Sequence, residues 1–188
     1  MGGAIHEDTR QQVHGGVDKH AAKHGWWAGH GVDVRREKLD FGDYMAYGSN
    51  VSVDTKRNVD EIAQNINGKS HARFRRECER ARDAGYRLVF LVENELGYEN
   101  AGDVVRWENT HCAKCHMRAR RGNEGGCRPL EPEGKCPRHG TNKPIQGARL
   151  YKAMRTMEGR YGVRFEFCRP EDSARRICEL LGVDYDGE

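Results

Sequence analysis

The sequence predicts an α/β fold in which a mixed β-sheet is flanked by helices. Residues 41–60 alternate in the manner of a β-hairpin, with a turn near residues 47–50. Residues 87–92 (RLVFLV) form an unbroken apolar run, which is typical of a strand covered on both faces. The segments after these strands repeat apolar residues every three or four positions, as amphipathic helices do.

Length and composition favour one domain over residues 1–188, with residues 109–143 as an insertion of different composition. The chain has 32 Lys and Arg against 29 Asp and Glu, and this net charge of +3 is too mild to identify a partner. A mean hydropathy of −0.93 and the lack of a long apolar run exclude a transmembrane helix. The first thirty residues contain no signal-peptide core, so we expect a cytoplasmic protein.

The N-terminal part predicts a strand at residues 4–10, a helix at residues 17–27 and an exposed strand at residues 31–38. The polar positions along one side of this helix are Lys19, His20, Lys23 and His24. Two histidines one turn apart can bind a metal ion, but the interleaved lysines favour a helix side that faces solvent or phosphate.

The hairpin brings chemically useful residues together. Because side chains alternate along a strand, Asp54 and Lys56 share one face, while Asp43 follows Gly42 on the neighbouring strand. Carboxylates bind a hard divalent cation, and an ammonium group can orient water or stabilise charge on a phosphate. The residues therefore favour a metal-dependent nuclease.

Downstream of the hairpin, a helix begins at Asn58 and a second, charged helix covers residues 70–84. Residues 69–87 contain seven basic and three acidic side chains, which suits either solvation or contact with phosphates. Glu93 ends the apolar strand, and this position allows an auxiliary carboxylate of the site or a surface charge. The remaining expected elements are a short helix at 101–107, a helix at 145–160, a strand at 162–168 and a last helix from Pro170.

The spacing of Gly42-Asp43, Asp54-Thr55-Lys56 and Asp60 resembles that of the XPF-type structure-specific endonuclease domain, a branch of the PD-(D/E)xK nuclease superfamily. The motif of that family runs roughly G-D-x(n)-E-R-K-x(3)-D. Asp54 stands where the family has Glu, and Thr55 stands where it has Arg. Upstream, Asp8-Thr9-Arg10 resembles the D-x-R-E strand with which such domains open, although Gln11 replaces the Glu.

The resemblance implies a restriction-endonuclease-like fold and hydrolysis of DNA with Mg²⁺ or Mn²⁺. Asp43 and Asp54 would bind the metal, with the carbonyl of Thr55 completing the shell. Lys56 would position the water, and Asp8 would be a further carboxylate. The expected substrate is branched or double-stranded DNA in recombination, repair or phage DNA processing, and a homodimer is compatible because such domains often dimerise. The alternative is a non-catalytic DNA-binding module with a nuclease-like fold.

The insertion at 109–143 carries Cys112-x2-Cys115 and Cys136-x2-His139, with Cys127 between them. Zn²⁺ prefers four sulfur or nitrogen ligands, so we expect a structural zinc held by four of these five residues, with the set left open. The insertion also has eight basic and three acidic residues, as a DNA clamp would.

Overall fold

In a computed structural model, which describes residues 3–10, 20–115, 136 and 144–187, the protein forms a six-stranded sheet flanked by helices. The strands are β1 (Ile5–Asp8), β2 (Val34–Glu37), β3 (Tyr44–Ala46), β4 (Val51–Lys56), β5 (Arg87–Glu93) and β6 (Arg164–Cys168). The helices are α1 (Ala21–Gly29), α2 (Val59–Asn67), α3 (His71–Asp83), α4 (Thr110–Ala113), α5 (Gly147–Tyr161) and α6 (Ser173–Leu181). Across the sheet, the strand order is β2-β1-β3-β4-β5-β6.

The sheet is mixed, which confirms the prediction. β1 pairs parallel with β2 and antiparallel with β3, and β3 and β4 form the predicted hairpin. β4, β5 and β6 run parallel, with Asp54 level with Phe90 and Lys56 level with Val92. The carboxyl ends of these three strands therefore meet at one edge of the sheet.

The front face of the sheet, defined by Asp54, Lys56 and Phe90, packs against α2, α3 and α5. Buried apolar residues recur along α2 at three- and four-residue spacing, which confirms the predicted helix. The side chain of Asn58 caps this helix by accepting a hydrogen bond from the Glu61 backbone N–H at 2.9 Å. The helix that follows β4 is thus fixed at the end nearest Lys56.

The back face, defined by Glu7, Tyr44 and Glu93, packs against α1 and α6. Trp27 of α1 is fully buried, and its indole N–H donates to the carbonyl of Ala174 in α6 at 3.1 Å. This bond satisfies the polar end of a large aromatic side chain inside the core.

The prediction that one side of α1 faces solvent or phosphate is wrong for Lys23 and His24, because both side chains point toward the sheet. Lys23 Nζ lies 2.7 Å from Glu93 Oε1, which also accepts a 2.6 Å hydrogen bond from Ser173. His24 Nε2 lies 3.1 Å from Glu7 Oε1. The physical reason is that β1 and β5 place two carboxylates on the back face, and buried carboxylates need polar partners.

Other expectations differ in detail. The strand expected at 31–38 is exposed, as predicted, but is shorter, and the expected short helix is a 3-10 helix over Ala101–Arg106. Of the insertion at 109–143, the structure describes residues 109–115 and Cys136, so its extent as a separate unit stays a prediction. Among the described helices, none is both long and apolar enough to cross a membrane.

Candidate active site

The turn at Gly42 and Asp43 is fixed between two neighbouring strands. Gly42 has a φ of +69°, and a Cβ there would lie 2.2 Å from Ser52 Oγ, so only glycine fits without strain. The Asp43 N–H donates to the Val53 carbonyl at 2.8 Å, and the Asp8 N–H donates to the Asp43 carbonyl at 2.9 Å. The backbone of Asp43 is therefore held by both β1 and β4.

The carboxylate of Asp43 points toward Thr55. The Thr55 backbone N–H and hydroxyl both donate to Asp43 Oδ2, each at 2.8 Å. Asp43 is only half-buried. Its second oxygen makes no hydrogen bond to the part of the chain that the structure describes.

Asp54 and Lys56 lie on the same face of β4, as the strand period predicts. They form a buried ion pair, with Asp54 5% and Lys56 8% exposed. The Lys56 ammonium also lies 6.0 Å from the ring centre of Phe74 and 5.7 Å from that of Phe90. The lysine therefore sits between a carboxylate and two aromatic faces instead of extending into solvent.

Negative charge is concentrated around this ion pair. Burial raises the pKa of Asp54 to about 7, the charge of Lys56 opposes the rise, and the charges of Asp43 and Glu77 add to it. Burial acts to lower the pKa of Lys56, but the charges of Asp54 and Asp43 outweigh it, so this pKa is raised. Lys56 thus stays charged, and the surrounding carboxylates carry excess negative charge that a cation would relieve.

Glu77 is a residue that the sequence reasoning missed. It lies on α3, and its Oε1 accepts a 3.2 Å hydrogen bond from the Gly42 N–H. In the sequence it is one acid among many arginines, 35 residues away from its partner. The available signal was its position beside Phe74 and Cys78, two of the three buried residues of α3, which places it at the edge of the packed side of the helix.

Asp8 and Asp60 occupy different surroundings. The carboxylate of Asp8 is 4% exposed but accepts hydrogen bonds from Arg10, the shortest from Nε at 2.6 Å. Within the part of the chain that the structure describes, Asp8 therefore contacts Asp43 only through the backbone hydrogen bond. Asp60 Oδ1 accepts a 2.7 Å hydrogen bond from the Thr110 hydroxyl. This bond joins the start of the insertion at 109–143 to α2.

The donor types fit a hard cation, since the carboxylates of Asp43 and Asp54 flank the end of β4 and the carbonyl of Thr55, the residue after Asp54, is a further oxygen donor. Within residues 3–10, 20–115, 136 and 144–187, however, no three His, Cys, Asp or Glu side chains are grouped so that they could hold a metal ion. The site would therefore need water, phosphate or backbone oxygens to complete a shell.

The zinc site stays a prediction. Cys112 is buried and accepts a 3.0 Å hydrogen bond from Gln146, Cys115 is partly exposed and Cys136 is buried. The other candidate ligands, Cys127 and His139, lie outside the described residues.

Comparison with known proteins agrees with this fold. The structure is similar to that of XPF from Aeropyrum pernix, with a TM-score of 0.53, 17% identity, and coverage of 95% of this chain and 63% of that chain. It is equally similar to XPF from Aeropyrum pernix in complex with DNA, with a TM-score of 0.53, 17% identity, and coverage of 96% and 64%. The chain thus spans slightly less than two thirds of these structures, and identity at this level shows the fold alone.

A search of curated protein sequences finds no match. The family model of the ERCC4 domain, in contrast, matches residues 8–180, which include Asp8, Asp43, Asp54 and Lys56. Because this match covers most of the sequence, the chain belongs to the ERCC4 domain family.

Proposed function

We propose that this protein is a metal-dependent endonuclease that hydrolyses phosphodiester bonds in branched or double-stranded DNA. The observation that carries the proposal is the buried Asp54–Lys56 ion pair next to Asp43, at the end of β4. Membership of the ERCC4 domain family and a fold shared with an XPF that was solved in complex with DNA support it.

Each residue has a role that its surroundings support. Asp43 and Asp54 would hold Mg²⁺ or Mn²⁺, with the carbonyl of Thr55 as a further oxygen ligand. When bound, such a metal supplies a positive charge that polarises a phosphate oxygen and activates water. Lys56, held in its charged form by Asp54, would stabilise charge on the phosphate and orient the water. Asp8 would be a further carboxylate near the site, on strand β1, with its charge balanced by Arg10.

DNA would approach along α3. This helix contacts the Gly42–Asp43 turn through Glu77, and its exposed basic residues are Arg73, Arg75, Arg76, Arg80 and Arg82. Guanidinium groups bind phosphates well because they present paired donors. This placement supports contact with phosphates, one of the two roles that suit the arginine-rich sequence.

The test is cleavage of labelled flap, fork, Holliday-junction and linear DNA by the full chain with Mg²⁺ or Mn²⁺. We expect cleavage of at least one substrate, and Asp54→Asn should lower the rate by roughly 100-fold or more. Asp33→Asn, at an exposed site before β2, is the matched control and should cut like the wild type. If the Asp54→Asn protein cuts as fast as the wild type, the proposed site is wrong. DNA binding without cleavage under either metal would favour the non-catalytic module.

A further inference from the structure

The hydrogen bonds around Asp43 separate into two sets. One set fixes the backbone of the turn, through the Asp43 N–H to Val53, the Asp8 N–H to the Asp43 carbonyl and the Gly42 N–H to Glu77. The other set fixes the side chain alone, through the two donors of Thr55. The position of Asp43 and the orientation of its carboxylate therefore depend on different groups.

The Thr55 contacts restrict one specific rotation. The terminal torsion of an aspartate is broad and roughly two-fold, so a free carboxylate exchanges its oxygens readily. Two donors at 2.8 Å on the same oxygen, Oδ2, oppose that exchange. Oδ1 is then the oxygen that stays available for a cation.

At position 55 this chain differs from the motif that it resembles. Thr55 stands where that motif has arginine, and a threonine side chain is shorter and carries no positive charge. Its half-buried side chain instead turns to Asp43 and donates its hydroxyl there. The residue between the acid and the lysine thus contacts another member of the site.

We propose that Thr55 is a positioning residue, whose hydroxyl orients the Asp43 carboxylate so that a single oxygen faces the divalent cation. The inference rests on the proposed function, because it assigns Asp43 to that cation. Thr55 touches neither phosphate nor water in this role and acts through Asp43.

The test compares Thr55→Val, which keeps the shape and the N–H but loses the hydroxyl, with Thr55→Ser, which keeps the hydroxyl. Mn²⁺ binding is measured directly by calorimetry without DNA, alongside the unfolding midpoint and the single-turnover rate. We expect Thr55→Val to bind Mn²⁺ about tenfold more weakly, because one charge-assisted hydrogen bond is lost, at a nearly unchanged unfolding midpoint. Thr55→Ser should restore most of the affinity.

The outcomes separate this inference from the proposed function. A wild-type chain that binds no Mn²⁺ would overturn both. A wild-type chain that binds Mn²⁺ and cuts DNA, with Thr55→Val equal to it in affinity and rate, would overturn the positioning role alone. Equal impairment of Thr55→Ser and Thr55→Val would also overturn it, because the hydroxyl would then not be the group that matters.

Discussion

Replacing Gly42 with alanine tests whether the Gly42–Asp43 turn is as tightly enclosed as the structure indicates. The added Cβ would lie 2.2 Å from Ser52 Oγ and 3.1 Å from the Val53 carbonyl, and the residue would keep a φ of +69°. Ser52 is fully buried and donates its hydroxyl to the Phe41 carbonyl at 3.0 Å, so it cannot move aside without losing that bond. Gly48 is the matched control, since its φ is +78° but nothing lies within 4 Å of an added Cβ.

The expected magnitudes follow from these two geometries. A left-handed backbone costs a residue with a Cβ roughly 1–2 kcal/mol, and this cost applies to both variants. Overpacking of a buried position adds about 1–3 kcal/mol, and this cost applies to Gly42→Ala alone. We therefore expect Gly42→Ala to lower the free energy of unfolding by about 2 kcal/mol more than Gly48→Ala does.

Urea unfolding of the wild type and the two variants measures this difference directly. A Ser52→Ala background removes the closest contact, so Gly42→Ala should cost less there than in the wild type. Equal losses for Gly42→Ala and Gly48→Ala would show that the turn has room, and the packing argument for this glycine would fail.

Further predictions concern the charges of the site. Lys56→Met leaves the Asp54 carboxylate buried without its positively charged partner. Urea unfolding near pH 8 should therefore show a free energy of unfolding about 3 kcal/mol lower than that of the wild type. This loss of stability should be smaller near pH 5. Asp54 has a raised pKa of about 7, so its carboxyl group is mostly neutral at pH 5 and needs no positive partner. The stability that the neutral form contributes is present at low pH and is lost as pH rises through this pKa. Glu77→Gln removes a negative charge beside Asp54, so an NMR titration should give Asp54 a lower pKa than in the wild type. Burial, with the charges of Glu77 and Asp54, raises the pKa of Cys78 to about 12, so alkylation of Cys78 near pH 8, followed by mass spectrometry, should be at least about tenfold slower in the folded chain than in the urea-unfolded chain.

Local patterns predicted the centre of the fold well. The two-residue period of β4 placed Asp54 and Lys56 on one face, and their shared burial and ion pair agree. The spacing of apolar residues likewise predicted α2, and the unbroken run at residues 87–92 predicted β5. These features are determined by neighbours in the chain, so the sequence alone carries them.

Contacts between distant residues could not be predicted in the same way. Lys23 pairs with Glu93, 70 residues further along the chain, and in α1 it looked like any solvent-facing lysine. Glu77 reaches Gly42 only because α3 packs across the front face. Charged residues on a helix do not indicate by themselves whether they face water or a buried partner of opposite charge.

The central claim is that the chemistry lies on the front face, and the two buried lysines give a matched test of it. Lys56 pairs with Asp54 on the front face, and Lys23 pairs with Glu93 on the back face, with side chains equally exposed at 10%. Under conditions in which both variants are folded, the single-turnover rate of DNA cleavage should fall by roughly 100-fold or more in Lys56→Met. It should stay near the wild-type rate in Lys23→Met. If the cleavage rate fell equally in both variants, or fell more in Lys23→Met, the assignment of the chemistry to the front face would be wrong.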